Sequence, residues 1–299
     1  MKSRITFYTI ALLIGLLAAL ALNLFTGLIP AIGSWYSSDL NLALRWQGDA
    51  LMRGRLAISD SPEQHFHDAI WANGLHQPWG LGVPFLRMPF EIAARLFGYR
   101  IFPDRVVFLL YVALTASFVF YALAAVGARI VQNSGSGARV ERLVLPAACL
   151  CTFALVLSPG FLTMLRSRFV VYEEVIAYAF LYSLVTFAAL ALFVNRRSGS
   201  TLFLLCVLCG FAPFIRPTLS ILPALFIPLA FLSTPRDHRR QLSAGFCVGF
   251  AVPAILILSW FVSNWIRFES PWEIGQHVYL SNSAVNFQFK IGSPYYFFP

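Results

Sequence analysis

Stretches without a charged side chain alternate with short charged segments along this chain of 299 residues. A helix that crosses a membrane needs about 20 predominantly apolar residues, and an ionised side chain at its centre costs about 2.5 kcal/mol or more. The uncharged stretches therefore predict transmembrane helices. We place seven of them, at about residues 6–30, 106–129, 144–162, 175–194, 201–215, 218–233 and 242–263.

The fifth and sixth predicted spans are short and meet at Arg216 and Pro217. One continuous helix over residues 202–233 would be roughly 48 Å long at 1.5 Å per residue, against about 30 Å of hydrocarbon. A helical hairpin that turns at Arg216 fits the membrane better. The first stretch could also be a cleaved signal peptide, because Ala19-Leu20-Ala21 resembles a cleavage site, but its apolar length favours a retained span.

The distribution of charge predicts the orientation of the bundle. With seven spans and a cytoplasmic N-terminus, the cytoplasmic segments contain ten basic residues and only two acidic ones, Glu141 and Asp237. This excess of positive charge is what the positive-inside rule expects. These basic residues are Lys2, Arg4, Arg129, Arg139, Arg142, Arg196, Arg197, Arg236, Arg239 and Arg240. We expect a multi-pass protein of the bacterial cytoplasmic (inner) membrane.

The composition agrees with a membrane protein and does not fit a soluble domain or a nucleic-acid-binding protein. Apolar residues make up 59% of the chain and charged residues only 12%, which does not fit a soluble domain. The net charge of +9 is scattered between apolar stretches and forms no basic face, so we expect no nucleic-acid partner. The predicted fold class is all-α, a polytopic membrane helix bundle in which residues 1–299 form a single membrane domain.

Two outer segments lie between or after the spans. In the first outer loop, residues 34–102, we expect a helix that starts at Ser38 or Asp39. A later helix of this loop should lie in the membrane interface, because Arg87, Glu91 and Arg95 recur every four residues opposite apolar positions. The outer C-terminal segment, residues 264–299, ends on an apolar stretch, and we expect the chain to be part of a longer protein.

Three acidic residues border predicted spans on the outer side. Asp39 follows the first span, and Glu173 and Glu174 precede the fourth. If the two helix ends are neighbours, the carboxylates could act as a general base or bind a divalent cation, the one cofactor that the sequence suggests. Otherwise Asp39 caps a helix, and the glutamates pair with Arg166 or Arg168.

Arginines near the same surface are candidate ligands for a lipid phosphate. Arg216 lies between two apolar half-hairpins, where a charged side chain usually faces a cavity or a partner. Guanidinium groups bind phosphate oxygens with paired hydrogen bonds, whereas the simpler alternative is that they extend to lipid headgroups. The candidates are Arg166, Arg168, Arg216 and Arg267.

In layout, the chain resembles the C-type (GT-C) membrane glycosyltransferases, a superfamily that includes protein O-mannosyltransferases, the aminoarabinose transferase of lipid A and oligosaccharyltransferases. The likeness consists of Asp39 after the first span, the long first outer loop, the pair Glu173 and Glu174, and the segments 68–84 and 264–275. These segments are similar to a poorly characterised bacterial branch that resembles dolichyl- or polyprenyl-phosphate-sugar-dependent mannosyltransferases. The sequence departs from the superfamily in two ways: no second acid follows Asp39, and the usual further spans and C-terminal soluble domain are absent from it. In the segment 264–275, Glu269 and Ile274 stand where the relatives have glycine and phenylalanine.

The resemblance implies transfer of a sugar from a polyprenyl-phosphate donor to an acceptor on the outer face of the membrane. Asp39 would then be the base, the arginines would stabilise the departing phosphate, and Trp71 and Trp79 would offer aromatic faces to the sugar, with Asp68 beside them. The alternatives are a transporter or lipid flippase, and a membrane protein without catalytic activity. Transporters tend to have internal repeats and charges deep in their spans, and the sequence has neither.

Overall fold

The computed structural model describes residues 2–29, 42–61, 69–72, 74–99, 102–135, 138–167, 171–236 and 243–273. Within these ranges the chain is mostly helical. The helices are α1 (Lys2–Thr26), α2 (Leu42–Met52), α3 (Gly82–Leu96), α4 (Asp104–Ser134), α5 (Ala138–Glu141), α6 (Val144–Val156), α7 (Pro159–Ser167), α8 (Val171–Arg196), α9 (Gly199–Ile215), α10 (Ile221–Leu232) and α11 (Ser243–Phe268). Two short antiparallel strands, β1 (Ile70–Ala72) and β2 (Gly74–His76), form a hairpin in which Trp71 pairs with Leu75.

In the part of the chain that the structure describes, five helical segments are long and apolar enough to cross a membrane. They are Ile5–Thr26, Asp104–Ser134, Val144–Ser167, Tyr172–Arg196 and Gly249–Phe268. Two shorter apolar segments, Gly199–Ile215 and Pro217–Leu232, occupy the fifth and sixth predicted spans. The prediction of an all-α, membrane-type helix bundle is therefore confirmed, whereas the number of crossings and their orientation stay predictions.

The chain reverses direction at Arg216. This residue is extended, with φ −157° and ψ 133°, because the proline that follows disfavours a helical conformation before it. A 3₁₀ turn, Pro217–Ser220, leads into α10, and the ring of Phe226 lies 4.8 Å from that of Phe187, in the middle of α8. Helix α10 therefore runs back along the bundle and does not extend α9.

Small residues bring the long helices close together. A Cβ atom added at Gly15 of α1 would meet the carbonyl oxygen of Ala113 in α4, and one added at Gly210 of α9 would lie 2.7 Å from the Cα of Pro253 in α11. Such contacts between small residues strengthen helix packing where lipid offers no hydrophobic driving force. They join α1 to α4 and α9 to α11.

One end of the bundle is covered by the first loop, and we call it the loop end. Helix α4 starts there at Asp104 and α8 at Val171, while α1 and α11 finish there at Thr26 and Phe268. The loop is held to this end by direct contacts, such as the hydrogen bond from Arg267 to the carbonyl oxygen of Gln77. The opposite end of the bundle lies about 46 Å away, since α4 has 31 residues.

Helix α3 turns its charged face inward. Arg87 and Glu91 are buried, whereas Leu96 and Phe97 are 81% and 79% exposed. The predicted helix is present. Arg87 and Glu91 pair with residues of α2, α4 and α8, whereas Arg95 is exposed and pairs with Asp49 of α2. The apolar side chains of Ile92 and Leu96 lie on the outer surface, where lipid can cover them.

Candidate functional site

A buried network of ion pairs lies at the centre of the loop end. Arg87 of α3 pairs with Asp104 of α4, and its Nη1 lies 3.4 Å from Oε1 of Glu174 in α8. Arg45 of α2 donates to Oδ1 of Asp104 over 2.6 Å, and its Nε lies 3.6 Å from Oε1 of Glu91. The network thus ties two helices of the first loop to two long helices of the bundle.

The local sequence places the carboxylates where helices begin. Asp104 is the first residue of α4, and Glu173 and Glu174 lie in the first turn of α8. Carboxylates are stabilised at such positions by the partial positive charge of the helix N-terminus. This stabilisation offsets part of the cost of burying Glu174, which is fully inaccessible to solvent.

Among the described residues of the network, acidic groups outnumber basic groups. The guanidinium groups of Arg45 and Arg87 face the carboxyl groups of three residues: Glu91, Asp104 and Glu174. Glu173 is also buried, one residue before Glu174. The loop end therefore holds carboxyl groups in a low-dielectric setting, where their charge acts strongly on neighbouring groups.

Beside this network lies a partly exposed cluster of two aromatic rings and one arginine, which we call the Tyr172 cluster. The ring of Tyr172 lies 5.1 Å from that of Trp79, and the guanidinium of Arg216 lies 5.7 Å from the same tyrosine ring. Because Tyr172 precedes Glu173 directly, the cluster adjoins the buried carboxyl groups. It combines a cation with flat apolar faces.

The segment that carries Trp79 is held by a compact turn. The side chain of Gln77 accepts from the backbone nitrogen of Trp79 over 2.6 Å and donates to the carbonyl oxygen of Gly80. Gly80 has φ +94°, a conformation that favours glycine. The buried guanidinium of Arg267 holds the backbone of Gln77, so the turn is fixed to the end of α11.

The structure brings some of the predicted site residues together. Trp79 and Arg216 meet in the Tyr172 cluster, and Glu173 and Glu174 lie next to it. Asp39, Asp68 and Arg168 fall outside the described residues, so the predicted convergence of Asp39 with the two glutamates stays a prediction.

The other predicted residues are not members of the cluster. Arg166 is exposed on α7, and Trp71 is exposed on β1. Arg267 is buried with its guanidinium 4.5 Å from the ring of Phe268, and it holds the first loop. This structural role differs from the predicted one, so phosphate binding by Arg267 stays a prediction.

Several residues of the site were not predicted from the sequence. They are Arg45, Arg87, Glu91, Asp104 and Tyr172. A signal was present for two of them, since Arg87 and Glu91 share one face of the predicted interface helix. Asp104 also stands directly before the second predicted span, as Glu174 stands directly before the fourth.

Among the described ranges, no group of three or more His, Cys, Asp or Glu side chains has an arrangement that could hold a metal ion. Asp39, the third member of the predicted cation site, is not in these ranges. The divalent cation therefore stays a prediction.

Comparisons with known proteins do not assign the chain to a family. No protein-family model, no curated protein and no solved structure matches it.

Proposed function

We propose that this chain is a membrane glycosyltransferase that moves a sugar from a polyprenyl-phosphate donor to an acceptor on the outer face of the bacterial cytoplasmic membrane. One observation carries the proposal: the Tyr172 cluster lies beside buried carboxyl groups at one end of a membrane-type bundle. An enzyme that transfers a sugar from a lipid-linked phosphate needs an anion-binding group, a flat apolar surface and a carboxyl group, all at the membrane surface.

In the proposed reaction the Tyr172 cluster binds the donor, while the base is Asp39, as the sequence predicts. Arg216 binds the phosphate of the donor, while the rings of Trp79 and Tyr172 contact the apolar face of the sugar. The acceptor oxygen forms a bond to the anomeric carbon as the bond from that carbon to the phosphate oxygen breaks. The electron pair leaves with the phosphate, which Arg216 stabilises, and the acceptor proton passes to Asp39.

The position of the charges favours this enzyme over a transporter. Residues 106–128, 175–195 and 243–266, which form most of three long helices, contain no charged side chain. Transport pathways for charged substrates commonly have ionisable groups within the spans. Here the buried ion pairs lie at the loop end, as expected for chemistry at the membrane surface.

The proposal can be tested with purified protein in lipid nanodiscs and radiolabelled polyprenyl-phosphate mannose, glucose and arabinose. We expect at least one donor to bind and to release free polyprenyl phosphate, slowly where water is the acceptor. Arg216→Ala should weaken donor binding about tenfold or more, because it removes a charged hydrogen-bond donor. Arg216→Lys should retain part of the affinity.

Arg129→Gln is the matched control. It removes an exposed arginine at the opposite end of α4, so donor binding should equal that of the wild type. Failure of the wild-type protein to bind any of the three donors would contradict the proposal, as would equal affinity in wild type and Arg216→Ala.

A further inference from the structure

A groove separates α2 and α3 on the outward side of the first loop. Its cavity has a volume of about 440 Å³, within the usual range for sites that bind small molecules. The side chains that line it are Leu51, Met52, Met88, Ile92, Arg95 and Leu96. Apart from Arg95 this lining is apolar, and its two methionines can adapt to an irregular ligand.

The surface around the groove is apolar as well. Next to Leu96 on α3, the exposed residues Phe97 and Tyr99 continue it. At the same end of the bundle α1 finishes with the exposed side chains of Leu24 and Phe25. Apolar surface of this extent at the end of a membrane-type helix indicates contact with lipid.

Arginines surround one side of the groove. Arg95 lines it, and Arg53 and Arg55 follow Met52 as exposed residues. Arg95 pairs with Asp49, and Arg55 lies 3.2 Å from Asp60. Among the described residues beside the groove, there are thus three guanidinium groups and two carboxylates, an excess of one positive formal charge.

We infer that this groove binds an acyl chain of an anionic glycerophospholipid, whose headgroup phosphate contacts Arg95 and Arg53. The apolar lining fits the acyl chain of the lipid, and the excess positive charge fits its anionic headgroup. The bound lipid anchors α2 and α3 to the membrane surface. The six residues that line the groove are different from those of the Tyr172 cluster, so the two sites are separate.

Native mass spectrometry of the full chain, after removal of endogenous lipid, tests this site. The probes are phosphatidylglycerol and phosphatidylcholine with identical acyl chains, and polyprenyl phosphate. We expect phosphatidylglycerol to be retained more strongly than phosphatidylcholine. Arg95→Gln should reduce its retention about fivefold, whereas Asp49→Asn, which releases Arg95 from its ion pair, should increase it.

Filling the groove is the second arm of the test. Ile92→Trp should displace phosphatidylglycerol, because Ile92 lines the cavity and is partly exposed. Leu20→Trp is the matched control, since Leu20 lies on the exposed face of α1, and this variant should retain the lipid. Equal retention of the two phospholipids by the wild type would overturn the inference. Displacement of polyprenyl phosphate alone by Ile92→Trp would also overturn it.

Discussion

Replacing Arg87 with methionine is expected to lower the free energy of unfolding by about 3–5 kcal/mol, the largest effect of any single substitution that we consider. Arg87 is buried and pairs with both Asp104 and Glu174. Methionine fills a similar volume but leaves two buried carboxyl groups without this partner. The first loop should then detach from α4 and α8 before the rest of the bundle unfolds.

Thermal unfolding in detergent can be followed with a thiol-reactive dye, since Cys206 and Cys209 are buried in the core. Cys149, Cys151 and Cys247 are first replaced by serine to remove the more accessible thiols. Arg95→Met is the matched control, because the pair of Arg95 and Asp49 is largely exposed and should contribute less than about 1 kcal/mol. Equal destabilisation by Arg87→Met and Arg95→Met would contradict the proposed role of the buried network.

The second large effect is expected for Gly82→Ala, which should lower the free energy of unfolding by about 1–3 kcal/mol. A Cβ atom at Gly82 would lie 2.5 Å from the backbone nitrogen of Ile215 and 2.6 Å from its Cα. These are backbone atoms of α9, so a side-chain rotation cannot relieve the contact. The first loop must move away from α9, which also shifts the turn that holds Trp79.

The same dye assay measures this effect, and Gly160→Ala is its control. A Cβ atom at Gly160 would meet no atom within 4 Å, so this substitution should leave stability unchanged or raise it by up to about 1 kcal/mol. Arg216→Ala provides a further comparison, since it removes the proposed phosphate ligand without disturbing α3. Wild-type stability in Gly82→Ala would show that the loop does not pack closely on α9.

Much of the fold could be predicted because the signal for a membrane helix is local. Absence of charge over about 20 residues identifies a span without knowledge of its neighbours. The reversal at Arg216 could be derived from length alone. The break between α6 and α7 was missed, although Ser158 and Pro159 mark it, since proline favours the first turn of a helix.

The candidate site was less predictable because its ion pairs depend on how the helices are rotated against each other. The four-residue spacing of Arg87 and Glu91 identifies one helical face, but it does not reveal that this face is buried against Asp104 and Glu174. The sequence could predict Glu173, Glu174, Trp79 and Arg216 as candidates. Tyr172, which brings two of them together, becomes apparent only in three dimensions.

The central claim is that the loop end, with its ion-pair network and the Tyr172 cluster, lies at the outer face of the membrane. Labelling of single cysteines in spheroplasts with a membrane-impermeant maleimide tests it most directly. In a background without native cysteines, one cysteine replaces Asp60, exposed in the first loop, and another replaces Arg142, exposed near the opposite end. We expect Asp60→Cys to be labelled in intact spheroplasts and Arg142→Cys only after lysis. Labelling of Arg142→Cys but not Asp60→Cys in intact spheroplasts would contradict it.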